Sequence, residues 1–218
     1  MIFKKTDILN LDRFYRANLI NSIIGIKQAS LIGTISNKNI TNLALFSSVV
    51  HLGSNPQLVA MFSRPNIDTP KQTLENIIDS NVFTINHVNS FILNRAHATS
   101  FNFRADESEF KKCNLGESYI KNFNAPFVKE SNVSIGLSYI RHFQIDENKV
   151  VMIIGKIENI KIEKNMILDN GEIKIDKLDS IGVAGNNSYY SLSFIKALDY
   201  LSSKSPEKVV KLINKEKK

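Results

Sequence analysis

The sequence predicts a mainly β protein in which an antiparallel sheet forms the core and helices lie at the periphery. Apolar and β-branched runs alternate with short polar clusters over residues 28–62, a pattern typical of antiparallel strands. Residues 134–145 and 149–162 flank a polar turn and predict a long hairpin of the kind that builds sandwiches and barrels. With nine Gly and no G-x-G-x-x-G motif, the chain does not match a Rossmann nucleotide-binding fold.

The first third of the chain predicts helix followed by strands. Apolar residues recur at helical spacing between positions 6 and 24, so we expect one or two amphipathic helices that lie against the β core. Polar clusters at 36–39 and 53–56 separate three β-like runs. The predicted strands are 28–35, 43–50 and 57–62. With no helical pattern between them, they predict a meander and not a β-α-β unit.

The clearest helix signal lies at residues 69–80. Thr69 is suited to the N-cap, Pro70 to the first helical position, and Gln72 completes a capping box. Pro206 lacks the backbone donor of a continuous helix, so the closing helix is predicted to split there. The later predicted elements are a strand at 82–88, a short helix at 106–113 and the closing helix at 191–213.

The net charge of +7 is the one unusual property of the composition. Residues 204–218 contain six Lys and two Glu, so this lysine-rich tail alone contributes +4. Basic proteins can bind nucleic acid or anionic membranes, but the rest of the chain has no Lys/Arg stripe interleaved with aromatic residues. We therefore expect a single domain at 1–203 followed by a helical tail, with nucleic-acid binding as the least favoured function.

Several classes of site are excluded by what the sequence lacks. A single Cys113 rules out an intramolecular disulfide and any C-x-x-C metal or redox motif, which fits a reducing, cytoplasmic compartment. No signal peptide or membrane span is predicted. HExxH, GxSxG and P-loop motifs are absent, which removes support for metal-dependent hydrolysis, serine hydrolysis and P-loop chemistry.

One group of residues is suited to binding a phosphate. The N-terminus of the predicted helix at 69–80 offers free backbone N–H groups and the positive end of the helix dipole, which favour an anion. Arg64, Lys71 and the hydroxyls of Thr69 and Thr73 add to this cradle, whereas Asp68 opposes it. The alternative is that Thr69 only caps the helix and both cations are solvated.

A second group of candidate binding residues precedes the phosphate cradle in the chain. Residues 42–48 (NLALFSS) combine small and hydroxyl-bearing side chains along a predicted strand. Such residues let a planar heterocycle approach the backbone, whose N–H and C=O groups can hydrogen-bond to its edge. The alternative is an ordinary edge strand whose serines face water.

The order of several segments resembles the flavin reductase-like, FMN-binding split-barrel family. The matching segments are TNLALFSSV (41–49), HLGSNPQLVAMFSRP (51–65) and KQTLENIIDSNVFTINHV (71–88). Weaker similarities lie downstream, at Ser108-Glu109-Phe110, at VMIIGKIENI (151–160) and at GVAGNNSYY (182–190). The closing segment lacks the Arg that often precedes its glycines in the family. The likeness covers roughly residues 20–200 and implies an antiparallel split β-barrel.

The resemblance implies FMN as the cofactor and supplies a set of binding residues, while it leaves the catalytic residues unknown and implies no metal. The residues expected to line the isoalloxazine ring are Asn42, Leu43, Ala44, Ser47 and Ser48. The expected phosphate ligands are Arg64, Lys71 and Thr73, in agreement with the helix-terminus argument.

The resemblance also implies a function and partners. We expect an NAD(P)H-dependent flavin reductase that transfers hydride from nicotinamide to flavin, with a flavin-dependent oxygenase as a possible acceptor. The alternative is a non-catalytic FMN electron carrier or flavin-binding protein. A homodimer with FMN near the interface is implied, with the long hairpin and terminal helices as interface candidates. His51, His87 and His97 are candidates to contact nicotinamide or flavin, and their spacing does not rank them.

Overall fold

A computed structural model describes residues 1–65 and 72–214 of the chain. Its helices are α1 (Lys5–Asn10), α2 (Arg13–Ile23), α3 (Gln72–Ser80), α4 (Leu93–Ala98), α5 (Glu109–Lys112) and α6 (Pro206–Asn214). Its strands are β1 (Lys27–Gln28), β2 (Ser30–Ile35), β3 (Thr41–Phe46), β4 (Val49–Ser54), β5 (Gln57–Ser63), β6 (Val82–His87), β7 (Glu117–Ile120), β8 (Phe123–Val128), β9 (Val133–Gln144), β10 (Val151–Ile162), β11 (Ile181–Ala184) and β12 (Ser188–Ser191). No described helix is both long and apolar enough to cross a membrane.

The main sheet is antiparallel, and the connection between its two edges shows that it curls into a barrel. Within the described residues it has seven strands in the order β3-β2-β6-β9-β10-β5-β4. The edge strands β3 and β4 are consecutive in the chain and joined by only Ser47 and Ser48. Three Cα steps span at most about 11 Å, so the opposite edges of the sheet must meet at this corner. The predicted split barrel is confirmed.

The barrel interior is an apolar core to which α3 contributes one face. Alternate residues of a strand point to opposite sides of a sheet, and the inward set from β2, β5, β6, β9 and β10 packs together with two residues of α3. The buried members are Ile32, Val59, Met61, Leu74, Ile77, Phe83, Ile85, Leu137, Val151 and Ile153. Burial of each large side chain stabilises the fold by roughly 1.5–3 kcal/mol, so α3 is held against the barrel through Leu74 and Ile77.

A second layer covers the outer face of β2, β3 and β6. It contains the hairpin β7-β8, the helices α4 and α5, and the small sheet β1-β11-β12. Polar bonds hold β8 in place: the Thr84 hydroxyl donates to the Pro126 carbonyl at 2.6 Å, and the Val128 N–H donates to Asn86 Oδ1 at 3.0 Å. This outer layer has its own apolar cluster, which includes Leu31, Leu43 and Phe110.

The long hairpin and the amino-terminal helices agree with the sequence prediction. β9 and β10 pair along their whole length, from Val133 opposite Ile162 to Gln144 opposite Val151, with two bulges. Two helices, α1 and α2, occupy the predicted helical segment, and neither contains a buried residue. They therefore lie at the surface and contribute no side chain to the buried core, and α2 contacts the turn between β11 and β12, where Asn186 bonds to Asn18 and Asn21.

Two predicted elements are wrong. The run 43–50 is not one strand, because the chain leaves the sheet edge at Ser47 and Ser48 and re-enters it at the other edge as β4, so the three runs are not a simple meander. Residues 192–202 contain no helix, and the described helix of this region is α6. Phe194 and Ile195 are exposed there, and a short helix without tertiary packing is marginal in water.

The predicted helix at 69–80 is described only in part. Its described portion is α3, which ends at Ser80 as expected. Thr69, Pro70 and Lys71 lie outside the described residues, as do residues 215–218 of the lysine-rich tail.

The close approach of β8 to β2 gives a test of the outer layer. A Cβ at Gly33 would collide with the Pro126 carbonyl oxygen and the Thr84 hydroxyl. We expect Gly33→Ala to lower the free energy of unfolding by about 3 kcal/mol, since overpacking a rigid contact forces backbone shifts. Gly53→Ala is the matched control, because the nearest atom to its Cβ is the Pro56 carbonyl oxygen at 3.4 Å. Equal stability of the two variants in urea denaturation would contradict this packing.

Candidate functional site

The outer edge of β3 presents backbone groups that no neighbouring strand pairs with in the described sheet. β3 pairs with β2 on one side only, with Leu43 opposite Gly33. The Leu43 N–H points away from β2 and donates to Glu109 Oε2 at 3.0 Å. Because backbone direction alternates along a strand, Thr41 and Leu45 also direct their N–H and C=O groups outward. A planar ligand can therefore bind along the part of this edge that follows Leu43, toward Phe46.

The corner after β3 brings Ser47 and Ser48 next to the end of β5. The Ser48 hydroxyl donates to the Phe62 carbonyl at 2.7 Å, and the Phe62 N–H donates back to the Ser48 carbonyl at 3.1 Å. Arg64 follows Phe62 by two residues and is exposed. Its guanidinium forms no hydrogen bond or ion pair within residues 1–65 and 72–214. The pairing therefore places Arg64, an exposed cation, two residues along the chain from the contact with Ser48.

A buried polar network ties the first turn of α3 to β3. Asn42 Nδ2 donates to Thr34 Oγ1 at 3.1 Å and to Thr73 Oγ1 at 3.2 Å. Asn76 Nδ2 donates to the same Thr34 oxygen at 3.1 Å. All four side chains are buried. The network thus joins two predicted site residues, Asn42 and Thr73, that are 31 positions apart in the chain.

The other predicted residues take different positions. The Leu43 side chain is fully buried in the outer core, so a ligand can meet this residue only through its backbone. Ala44, which follows it on the edge strand, is half-buried. Lys71, the second predicted phosphate cation, lies outside the described residues.

Glu109 is a residue of this region to which the sequence argument assigned no role. It is buried at the start of α5 and accepts the Leu43 N–H described above. Burial raises the pKa of this carboxyl, while the backbone hydrogen bond from Leu43 opposes that rise. Glu109 closes the β3 edge at Leu43 and leaves the later part of the strand open. The Ser108-Glu109-Phe110 match was the sequence signal for it.

A polar network lies beside Glu109. Thr41 Oγ1 donates to Glu117 Oε1 at 2.8 Å, so the Ser108 hydroxyl, 2.7 Å away, must be the donor to Thr41. The Tyr119 hydroxyl donates to the other oxygen of Glu117 at 2.7 Å. Both carboxylate oxygens of Glu117 thus have partners, and the network anchors the start of β3 to β7.

The structure separates the histidines that spacing did not rank. His87 Nδ1 lies 3.0 Å from Ser180 Oγ, and burial lowers the pKa of its imidazole to about 4. His51 is exposed on the edge strand β4. His97 Nδ1 lies 2.7 Å from the Tyr189 hydroxyl. Within the described residues, no three His, Cys, Asp or Glu side chains form a group suited to a metal ion.

Comparison with known proteins gives a consistent match. A family model, the flavin reductase like domain, matches residues 27–174. A solved structure, a split-barrel protein of the flavin reductase type from Shewanella frigidimarina, is 38% identical, with 92% of this chain and 100% of that chain covered and a TM-score of 0.88.

Two further solved structures share the fold at lower identity. Nitrilotriacetate monooxygenase component B from Bacillus cereus is 17% identical over 91% of this chain and 98% of its own, with a TM-score of 0.80. Flavoredoxin from Desulfovibrio vulgaris is 22% identical over 80% of this chain and 91% of its own, with a TM-score of 0.68.

The environment of His87 predicts how stability depends on pH. The pKa of the His87 imidazole is 6.5 in the unfolded chain and about 4 in the folded protein. Between these two pH values the unfolded chain therefore binds more protons at His87 than the folded protein does. His87 therefore contributes full stability above pH 6.5, and this contribution falls by up to about 3 kcal/mol as the pH drops to 4. We expect His87→Gln to flatten the urea-derived stability profile over this interval, with exposed His51→Gln as the control. Identical slopes for His87→Gln and the wild type would show that His87 is not held neutral.

Proposed function

The chain belongs to the flavin reductase-like domain family, and from that premise we propose that it binds FMN and transfers reducing equivalents from NADH or NADPH to flavin. The observation that supports the proposal is the edge of β3, which pairs with no further strand among the described residues and leads to the corner at Ser47 and Ser48, where Phe62 of β5 contacts Ser48 two residues before the exposed Arg64. An apolar strand edge with small residues suits a planar ring, and an exposed cation suits a phosphate.

The residues present fit a flavin mononucleotide. We assign the ring to the β3 edge and the corner, where Leu43 can contribute only its backbone carbonyl, because its N–H already donates to Glu109, and where Ala44, Ser47 and Ser48 allow close approach. We assign the phosphate to Arg64 and Lys71 near the start of α3. Asn42 donates to Thr73, so this bond fixes the first turn of α3 against β3. The assigned residues are Asn42, Leu43, Ala44, Ser47, Ser48, Arg64, Lys71 and Thr73.

The flavin, when bound, supplies the hydride chemistry, and the protein supplies position and electrostatics. The β3 edge would hold the ring, and Glu109 would keep the Leu43 N–H from bonding to it, because that N–H already donates to Glu109. Arg64 compensates the phosphate charge. One face of the ring must stay open to the nicotinamide, since hydride transfer requires contact between the two rings.

Two relatives support different roles for the same site. The component B match favours a reductase that supplies reduced flavin to a separate oxygenase, and we propose such an oxygenase as the electron acceptor. The flavoredoxin match favours the second candidate function, an FMN-carrying electron-transfer protein. Both need the flavin site, and only the first needs rapid oxidation of NAD(P)H.

We propose a cytoplasmic homodimer with FMN near the interface. Large apolar side chains are exposed on the long hairpin and on the segment after β12, including Phe143, Ile160, Phe194 and Tyr200. A contiguous exposed apolar surface marks an interaction site, and these side chains are the candidates for such a surface. Nucleic-acid binding is the least favoured function, since Lys208 of the tail is 3.8 Å from the carboxylate of Asp199 and nonspecific binding by the remaining lysines would be lost with salt.

The first test is optical and separates the two flavin functions. FMN titrated with the protein should lose its fluorescence, and NADH or NADPH with free flavin should then be oxidised at many turnovers per second. Absence of binding at high micromolar FMN would reject the flavin proposal. Binding with no more than one turnover per flavin would identify an electron carrier instead.

A second test locates the phosphate. We expect Arg64→Gln and Lys71→Gln each to weaken FMN binding by about ten- to hundredfold, because a lost charge-assisted hydrogen bond costs about 1.5–3 kcal/mol. Riboflavin lacks the phosphate, so its affinity should stay within about threefold of the wild-type value. Arg13→Gln, on the surface helix α2, is the control. Equal weakening of both ligands would show that the phosphate lies elsewhere.

A further inference from the structure

Glu109 is a buried carboxylate without a counter-ion. The residue is only 6% exposed, and its carboxylate forms no ion pair with any Lys, Arg or His of the described chain. Its neighbour Glu107, in contrast, pairs with Lys112 at 2.7 Å. Charged side chains are almost never fully buried unless they are paired. An unpaired buried carboxylate beside a candidate site is therefore itself a candidate for a functional role.

Two backbone N–H groups hold this carboxylate in place. The Leu43 N–H donates to Glu109 Oε2 at 3.0 Å, across 66 positions of the chain, and the N–H of Glu109 itself is the second donor. Hydrogen bonds from N–H groups stabilise the ionised form of a carboxyl, and here they oppose the rise in pKa that burial causes. Phe110, the next residue of α5, is buried in the same outer cluster as Leu43. The carboxylate is therefore fixed at one point of the β3 edge.

The bond to Leu43 places the carboxylate beside the free part of the β3 edge. The Leu43 C=O points to the same side of the strand as the Leu43 N–H, and the next outward N–H belongs to Leu45. Neither group has a hydrogen-bond partner within residues 1–65 and 72–214. Two residues of a strand span about 7 Å, so a ring bound to these groups lies about 7 Å or less from the carboxylate of Glu109.

Reduction by hydride changes the charge of a flavin. A hydride ion carries two electrons and one negative charge, so its transfer from NADH or NADPH leaves a nicotinamide with one more positive charge and a flavin with one more negative charge. Like charges repel more strongly at a partly buried site than in water. We propose that the carboxylate of Glu109 weakens the binding of reduced FMN relative to oxidised FMN and so makes the bound flavin a stronger electron donor. The inference rests on the flavin site of the proposed function and adds to it a residue that sets the reduction potential.

The test measures the affinity of the protein for both redox states of FMN. Oxidised FMN and dithionite-reduced FMN would be titrated by anaerobic calorimetry into the wild type, Glu109→Gln and Glu109→Ala. The phosphate is the same in both ligands, so its contribution cancels in the ratio of Kd for reduced FMN to Kd for oxidised FMN. We expect both variants to lower this ratio about tenfold, which corresponds to a rise of about 30 mV in the two-electron potential of the bound flavin. The amide oxygen that Glu109→Gln introduces can still accept the Leu43 N–H, so this variant removes the charge and keeps the hydrogen bond.

The outcomes separate this inference from the proposed function. Glu107→Gln is the matched control, because it changes the net charge equally at a residue that pairs with Lys112, and it should keep the wild-type ratio. An unchanged ratio in both Glu109 variants, or an equal fall in Glu107→Gln, would overturn the role of Glu109 while FMN binding stands. A fall in Glu109→Ala alone would also overturn it, since the hydrogen bond and not the charge would then be the cause. If the wild type binds no oxidised FMN, the flavin site itself is rejected, and the role of Glu109 with it.

Discussion

The two-residue link between β3 and β4 is the constraint on which the rest of the structure depends. Ser47 and Ser48 join opposite edges of one sheet, and the paired hydrogen bonds between Ser48 and Phe62 fix the corner. The link forces the sheet to curl, which creates the interior that α3 fills with Leu74 and Ile77. Within residues 1–65 and 72–214, it also leaves the outer edge of β3 without a neighbouring strand where the chain turns. One local feature thus produces both the barrel and the open edge that the proposed site uses.

Buried polar residues divide into those that hold the scaffold and those that shape the site. Asn86 accepts from Val128 and donates to the Leu31 carbonyl at 3.1 Å, and so joins the outer hairpin to the sheet. Hydrogen bonds of Asn42, Thr73 and Asn76 hold α3 against the inner face of β2 and β3, opposite to the face that the outer hairpin covers. Glu109 has a different effect, because it fills one hydrogen-bonding position of the β3 edge and thereby limits where a ligand can bind. Unsatisfied buried groups would be costly, so these bonds also fix the geometry.

The sequence predicted what depends on local pattern and missed what depends on contacts across the chain. The hairpin of β9 and β10 was found because alternation and turn residues are local signals. The break at Ser47 and Ser48 was missed because these serines continue a run of strand-forming residues, and only the closure of the barrel bends the chain there. The helix predicted directly after β12 does not form at residues 192–202, because a short helix needs tertiary packing to be stable. The periodicity of apolar residues does not reveal whether such packing is available.

The same contrast holds for the site. Resemblance gave Asn42 and Thr73 as ligands, but their mutual hydrogen bond needed the fold. The resemblance also included Glu109, but its bond with the Leu43 N–H, 66 positions away, is visible only in the fold. The most direct test of the account is a crystal structure of the protein with FMN. The isoalloxazine ring should lie along β3 beyond Leu43, with the phosphate within hydrogen-bonding distance of Arg64. A flavin bound away from the Ser47–Ser48 corner would contradict the account.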